Sequence, residues 1–321
     1  MRGSLNFRFL IVSAALVFVA FAASARAAQC DSEALNDSYQ KFRKDYRGNP
    51  DQQKAASQAG KEIVTKFSDC NEEDQKRITV FVKGWLEKYD AALIEFQCVD
   101  AVNNSPLKAF DACQPFMAKD PESLRTNLLL AAAGVTNLNK GDDKFRAETL
   151  RVARKSLDLM ATGRKVDNWI LGGSQSEAEG TLQYFSGQLI LDSSPTEALD
   201  AFRKAARSTS TYSRDPQTYR AIGQIVYKTE IKKQVEDYNQ TCAGKDSTPE
   251  CEALRAKLDS SVDVVIDAYA RAIALSKDRP ENAQLAAALK PDLVTFYKQR
   301  HDNSDAGLDQ LIADILSKPM P

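Results

Sequence analysis

Residues 176–207, SEAEGTLQYFSGQLILDSSPTEALDAFRKAAR, contain two amphipathic helices and the turn between them. Ser193-Ser194-Pro195 marks the turn, because proline breaks a helix interior but suits the first turn of the next one. Before the turn, Tyr184 and Gly187 lie about one helical turn apart; after it, Ala198, Phe202 and Ala205 recur at four and three. Spacing of three and four is helical, whereas a half-buried strand alternates at two. Glycine and alanine on facing helices let two backbones approach closely, and the aromatic ring fills the gap to the next pair.

The pattern recurs on the C-terminal side. Pro216 opens a unit with Tyr219, Ile222, Gly223 and Val226, and its second helix carries Val265, Tyr269 and Ala272 at four and three. A weaker copy has Ala109, Cys113 and Phe116, followed by Pro121. These segments resemble tetratricopeptide repeats, with their W-x2-L-G-x2-Y, then A-x3-F, then P in about 34 residues. The likeness is good over 176–280, about a third of the chain, and degenerate over 31–160. It implies an all-α fold, a right-handed superhelix of antiparallel helix pairs, whose extended concave surface binds a protein or peptide. First helices of the pairs line that surface, which makes Tyr184, Gln188, Arg220, Gln224 and Tyr227 the candidate protein-binding residues. Tyrosine and arginine are favoured anchors in interfaces. The ring of lysine and asparagine with which some members grip a peptide C-terminus is not seen in this chain.

One unit departs from the family in length. Gly187 to Phe202 spans 15 residues, but Gly223 to Tyr269 spans 46. The additional residues keep helical spacing on both sides of a turn running from Cys242-Ala243-Gly244 to Pro249. Ile222, Ile225, Thr229 and Val235 form an outgoing stripe with a gap at Lys232; Leu254, Leu258, Val262 and Val265 form a returning one. The expectation is an extended helical hairpin over 216–276. About 15 extra residues per helix, at ~1.5 Å rise each, make an arm of roughly 20 Å. Lys232, Lys233, Glu236, Asp237, Arg255 and Lys257 form its wet sides.

Elsewhere breakers punctuate helices at Gly48-Asn49-Pro50, 68–71, 103–106, Asp120-Pro121 and Gly141-Asp142-Asp143. The longest break, 169–174, divides degenerate hairpins over 29–171 from clearer repeats over 172–321. Asp215-Pro216, Arg279-Pro280 and Pro291 open or close later helices. Val80, Trp85, Tyr89, Ala92, Phe96 and Val99 mark a further helical stripe.

Arg2 and Arg8 precede an apolar run from Phe9 to Ala23, followed by Ala-x-Ala sites. That is the pattern of a secretory signal peptide over 1–28, cleaved after Ala25, Ala27 or Ala28. The run has 15 residues, short of the ~20 that span a bilayer. Gln29 precedes Cys30 where a lipoprotein site wants a small residue, so Cys30 reads as a disulfide partner. The chain is expected in the periplasm or secreted. Six cysteines in an exported chain point to disulfides, and 15 pairings are possible in principle. Local order favours 30–70, 98–113 and 242–251. The 43 Lys+Arg and 44 Asp+Glu give a net charge of -1, or -4 once Arg2, Arg8 and Arg26 leave with the leader. A weakly acidic, mixed surface does not call for nucleic acid or an anionic membrane.

Motifs for catalysis are missing from the sequence: there is no phosphate-binding glycine loop, no H-E-x-x-H and no G-x-S-x-G. The single histidine, His301, sits among polar residues at a helix end, where it suits the dipole. Abundant carboxylates single out no acid/base pair. The reading is a non-catalytic scaffold with no cofactor or metal, binding a protein or peptide in the cell envelope. Two other readings are a helical solute-binding protein for a glycan or lipid, and an envelope hydrolase with an acidic catalytic residue. A closed apolar cavity favours the first of these, and a buried carboxylate in a deep cleft the second.

Overall fold

The computed structural model describes residues 30–244 and 248–320. The leader expected at 1–28 lies outside the described residues. Among these, the regular structure is all helical, and helices adjacent in sequence pack against each other in pairs. No helix among them is long and apolar enough to cross a membrane. The described residues form two compact units, one ending at Gln97 and one beginning at Cys98.

In the first unit, Asp31 accepts hydrogen bonds from the amides of Glu33 and Ala34 and so starts α1 (Ser32–Asp45). Asn49 and Gln52 cap α2 (Pro50–Phe67) reciprocally, with Pro50 in its first turn. The third helix is α3 (Glu73–Asn104). Leu35, Phe42, Ile63, Phe67, Val82 and Leu86 make the core of this unit. Cys30 and Cys70 stand at disulfide distance, their Cα atoms 5.5 Å apart, and tie the start of α1 to the end of α2. The stripe expected on α3 is corrected here. Val80 and Phe96 are exposed, while Val82 and Leu86 are buried, because the α3 face that meets α1 and α2 is the one carrying Val82 and Leu86.

In the second unit, Cys98 on α3 pairs with Cys113 on α4 (Ala109–Lys119), Cα atoms 4.6 Å apart. Two neighbouring helix pairs come next: α5 (Leu124–Asn139) with α6 (Arg146–Ala161), then α7 (Gln175–Ile190) with α8 (Pro195–Arg207). Ser123 and Ser174 cap α5 and α7 through their side chains. The break at 169–174 is not a division of the core: Leu171, Ala178 and Leu182 share one cluster with Leu128 and Val152.

Two glycines explain why these pairs are close. A methyl group on Gly187 would come within 3.0 Å of the Phe202 ring, and one on Gly223 would overlap the ring of Tyr269. The same glycine–aromatic contact therefore closes both hairpins, although the second carries the long insertion. Ala198, Ala205, Ala272 and Val265 are fully buried around these contacts.

The long hairpin is helical on both sides. Asp215 caps α9 (Pro216–Val226), which runs through a π turn (Tyr227–Ile231) into α10 (Lys232–Cys242). Thr248 caps α11 (Pro249–Ser276), which returns along both α9 and α10. Cys242 and Cys251 stand at disulfide distance at the tip, Cα atoms 5.6 Å apart. The π turn corrects one expectation, that Val235 is in the outgoing stripe. Val235 is exposed, and Gln234 is buried in its place. Inward positions run Val226, then Ile231, then Gln234, so the step across the π turn is five residues. A π turn adds one residue to a helical turn and rotates the residues beyond it about the helix axis. The gap at Lys232 in the sequence pattern is that rotation.

Helix α12 (Ala283–Arg300) packs along α11 through Leu289, Leu293 and Tyr297, and Arg300 binds Asp263 through two hydrogen bonds of 2.8 and 3.1 Å. Pro291 lies inside α12 instead of bounding it. Helix α13 (Leu308–Asp314) and a terminal segment close the unit against α11.

Candidate protein-binding surface

The candidate surface is built from α7, α9 and the turn before α8. Asp215 and Pro216 fix where α9 begins, since the Asp215 carboxylate accepts from the amide of Gln217 at 2.9 Å. Arg146 fixes the end of α7: its guanidinium donates to the carbonyls of Gln188 and Leu189, which a helix C-terminus leaves open.

Arg220, Gln224 and Tyr227 recur at four and three and so share one face of α9 and the turn after it. Arg220 is exposed, Gln224 half-buried and Tyr227 exposed. The Tyr227 ring leans on Phe296 of α12 at 5.6 Å, and the Lys232 ammonium lies 5.3 Å from its centre. Gln188 on α7 is also exposed.

Tyr184 is a correction. It is 7 % exposed, stacked on Tyr212 at 4.4 Å and edge-on to Phe185 and Phe202. Its ring belongs to the core because the α7 face that carries it is covered by α8 and the short turn at Thr211–Arg214. Only its hydroxyl reaches outward, accepting from Gln188 Nε2 at 2.8 Å. Burial, with a further push from Asp215, holds that hydroxyl far above the ordinary tyrosine range. Burial likewise pushes Tyr212 and Tyr269 to about 12. All three are neutral hydroxyls in the working range, structural in role.

Gln224 lines a cavity of about 220 Å³ that the sequence pattern does not foretell. Leu191, Pro195, Ala221 and Ile225 are its apolar lining, and Asp192, Gln224, Lys228 and Thr229 its polar lining. It forms because the Asp192–Pro195 turn of one pair lies against α9 of the next. Nothing in the local pattern of either segment predicts that meeting. Within the polar lining, Gln224 offers both the donor and the acceptor that a peptide backbone can pair with. The volume is below the roughly 300–1,000 Å³ of small-molecule sites and suits one inserted side chain. A wider depression of about 540 Å³ between α6, α7 and α8 is open and edged by Glu179, Lys204 and Arg207.

Among the described residues, no cluster of three or more His, Cys, Asp or Glu side chains is placed to hold a metal ion. Asp267, a carboxylate largely withdrawn from solvent, is engaged by Arg271. Compared with models of protein families and with curated proteins, the chain matches none.

Proposed function

We propose that this protein is a non-catalytic, exported scaffold of the tetratricopeptide-repeat kind, whose helix pairs wind into a superhelix and bind an extended segment of another protein. The observation that carries the reading is the cavity beside Gln224. Apolar and polar lining together, with room for one side chain, is how an extended peptide is anchored, the apolar groups choosing the side chain and the polar groups holding the backbone. Arg220 and Tyr227 lie along the same face and extend the contact on either side. The recurrence of the glycine–aromatic contact at Gly187–Phe202 and Gly223–Tyr269 supports the repeat assignment.

Export is supported by three cysteine pairs at disulfide distance, since such bonds persist in oxidising compartments. The placement of Cys30 at disulfide distance from Cys70 supports reading it as a disulfide partner.

The test is capture of partners from a cell-envelope extract by the purified protein, compared with Ala221→Trp, which fills the cavity, and with Arg220→Ala plus Tyr227→Ala. Loss of the same captured protein in both variants, with unchanged helicity and melting, is the expected result. Capture that survives both variants refutes this surface.

A further inference from the structure

The last residues of the described chain are held in an unusual way. Arg271, on α11, is only 5 % exposed, and a buried guanidinium needs its donors satisfied. Asp267 one turn earlier takes two of them, at 2.7 Å to Nε and 3.2 Å to Nη2. Nη2 also donates to the backbone carbonyls of Lys318 and Pro319, at 2.9 and 2.8 Å. The buried ring of Tyr219 lies under the guanidinium, 6.0 Å from its carbon. Lys318 is extended, with φ -91° and ψ 146°. Pro319 has no amide hydrogen to satisfy, so this strap presents carbonyls in a row and asks for no acceptor at that position.

The two halves of this contact differ in how firmly they are built. The site half is set by the fold: Asp267 orients Arg271, and Tyr219 is fixed by its own hydroxyl, which donates to the Ser213 carbonyl at 2.8 Å. The strap half is loosely attached. The side chains of Lys318 and Pro319 are exposed, and Met320 is only partly buried against the core. Segments with so little buried apolar area open at low free energy.

We infer that the Arg271–Asp267–Tyr219 site is a docking site for an extended, proline-containing segment of a partner protein, and that residues 317–320 occupy it in cis as an exchangeable stand-in. Recognition rests on two backbone carbonyls that accept from Nη2 of a planar guanidinium oriented by Asp267, with an apolar side chain such as that of Met320 packed against the core. This site is separate from the α9 face, and neither proposal depends on the other.

The experiment uses a fluorescently labelled peptide of residues 316–321, LSKPMP, and reads its anisotropy. A chain ending at Ser317 should bind it, and the full chain should bind at least tenfold more weakly, because the tethered strap competes at high effective concentration. Arg271→Lys in the shortened chain keeps the charge but loses the fork, and should lose most of the binding. A scrambled peptide, KLPSPM, should bind more weakly than LSKPMP. If the shortened chain does not fold, full-length Met320→Asp replaces it, since that variant loosens the strap while leaving its carbonyls. No peptide binding to the opened site overturns the inference. Equal binding by the full chain, or by Arg271→Lys, does so too. Unfolding of both opened variants would show the strap to be an integral part of the fold and would likewise overturn it.

Discussion

Removing the cross-link at the tip of the long hairpin should loosen the tip and nothing else. Cys242 and Cys251 are nine residues apart in sequence and both are buried. Closing a loop of that size contributes about 2–3 kcal/mol by chain entropy. Beyond the π turn the outgoing helix has little else to hold it: Ile231 is the last residue of that helix in the large core cluster, and α10 packs on α11 through Gln234 and the cystine. The inward contact at Gln234 is polar, its amide donating to the Ser261 hydroxyl at 3.1 Å, which in turn donates to the Glu230 carboxylate at 2.9 Å. Local opening of the tip therefore draws directly on the cross-link. At 1.4 kcal/mol per decade, its loss should speed amide exchange roughly 30- to 150-fold over 234–242 and 250–256 in Cys242→Ala with Cys251→Ala. Alanine keeps both buried positions apolar, so the change reports the bond more than a new polar burial. Val262, Val265 and Tyr269 lie in the core with α9, and their region should keep wild-type protection. Hydrogen exchange read by mass spectrometry on overlapping peptides separates the two outcomes. Equal acceleration over 216–226 and 262–276 would refute the idea of a separately opening arm.

Single contacts carry the other expectations. Gly223→Ala places a methyl group into the Tyr269 ring and should lower stability by about 1–3 kcal/mol, whereas Gly84→Ala, which meets open space, should be neutral or stabilising by up to about 1 kcal/mol; thermal melts read by circular dichroism compare them. Tyr184→Ala removes a core ring and should cost about 3–5 kcal/mol, while Arg220→Ala and Tyr227→Ala should stay within about 0.5–1 kcal/mol of wild type in urea unfolding. Tyr212 and Tyr269 titrate at about 12 in the fold against 10 when unfolded, so the unfolded chain loses these protons first. Their contribution is complete below pH 10 and declines from there to about pH 12; melting temperature should fall across that window, with phenolate absorbance rising at the unfolding step.

The fold was legible where spacing and chemistry agree. Pro195, Pro216 and Pro249 start helices, a position that their fixed φ suits. The three pairs favoured by local order all stand at disulfide distance: Cys242 and Cys251 face each other across the hairpin tip, Cys98 and Cys113 lie 15 residues apart on consecutive helices, and Cys30 and Cys70 bracket α1 and α2. Pro291 departs from its expected place at a helix boundary for a definite reason. A proline only removes one hydrogen bond and crowds the preceding turn, and packing of Leu289, Leu293 and Tyr297 against the core outweighs that penalty of about 3 kcal/mol.

The candidate surface was legible only in part, and Val235 and Tyr184 show why. A sequence stripe states which residues share a face; it does not state which face meets a neighbour, nor where the helix changes pitch. On the outgoing rod the shared face is right up to Thr229, then the π turn rotates it, and Gln234 enters where Val235 was expected. On α7 the pattern puts Tyr184 and Gln188 on one line, yet the helix buries the first and exposes the second, because α8 and the turn at Thr211–Arg214 cover half of that line. The cavity beside Gln224 needs still more: it exists only when Asp192 and Pro195 arrive from another pair. Residues on one helix are therefore read from periodicity, whereas a site made between helices is read from their docking. That difference makes the cavity a sharper target than any of the five residues alone. Filling it with Ala221→Trp changes the space between two pairs while leaving Arg220, Gln224 and Tyr227 in place, so binding lost in that variant would locate the partner in the cavity itself.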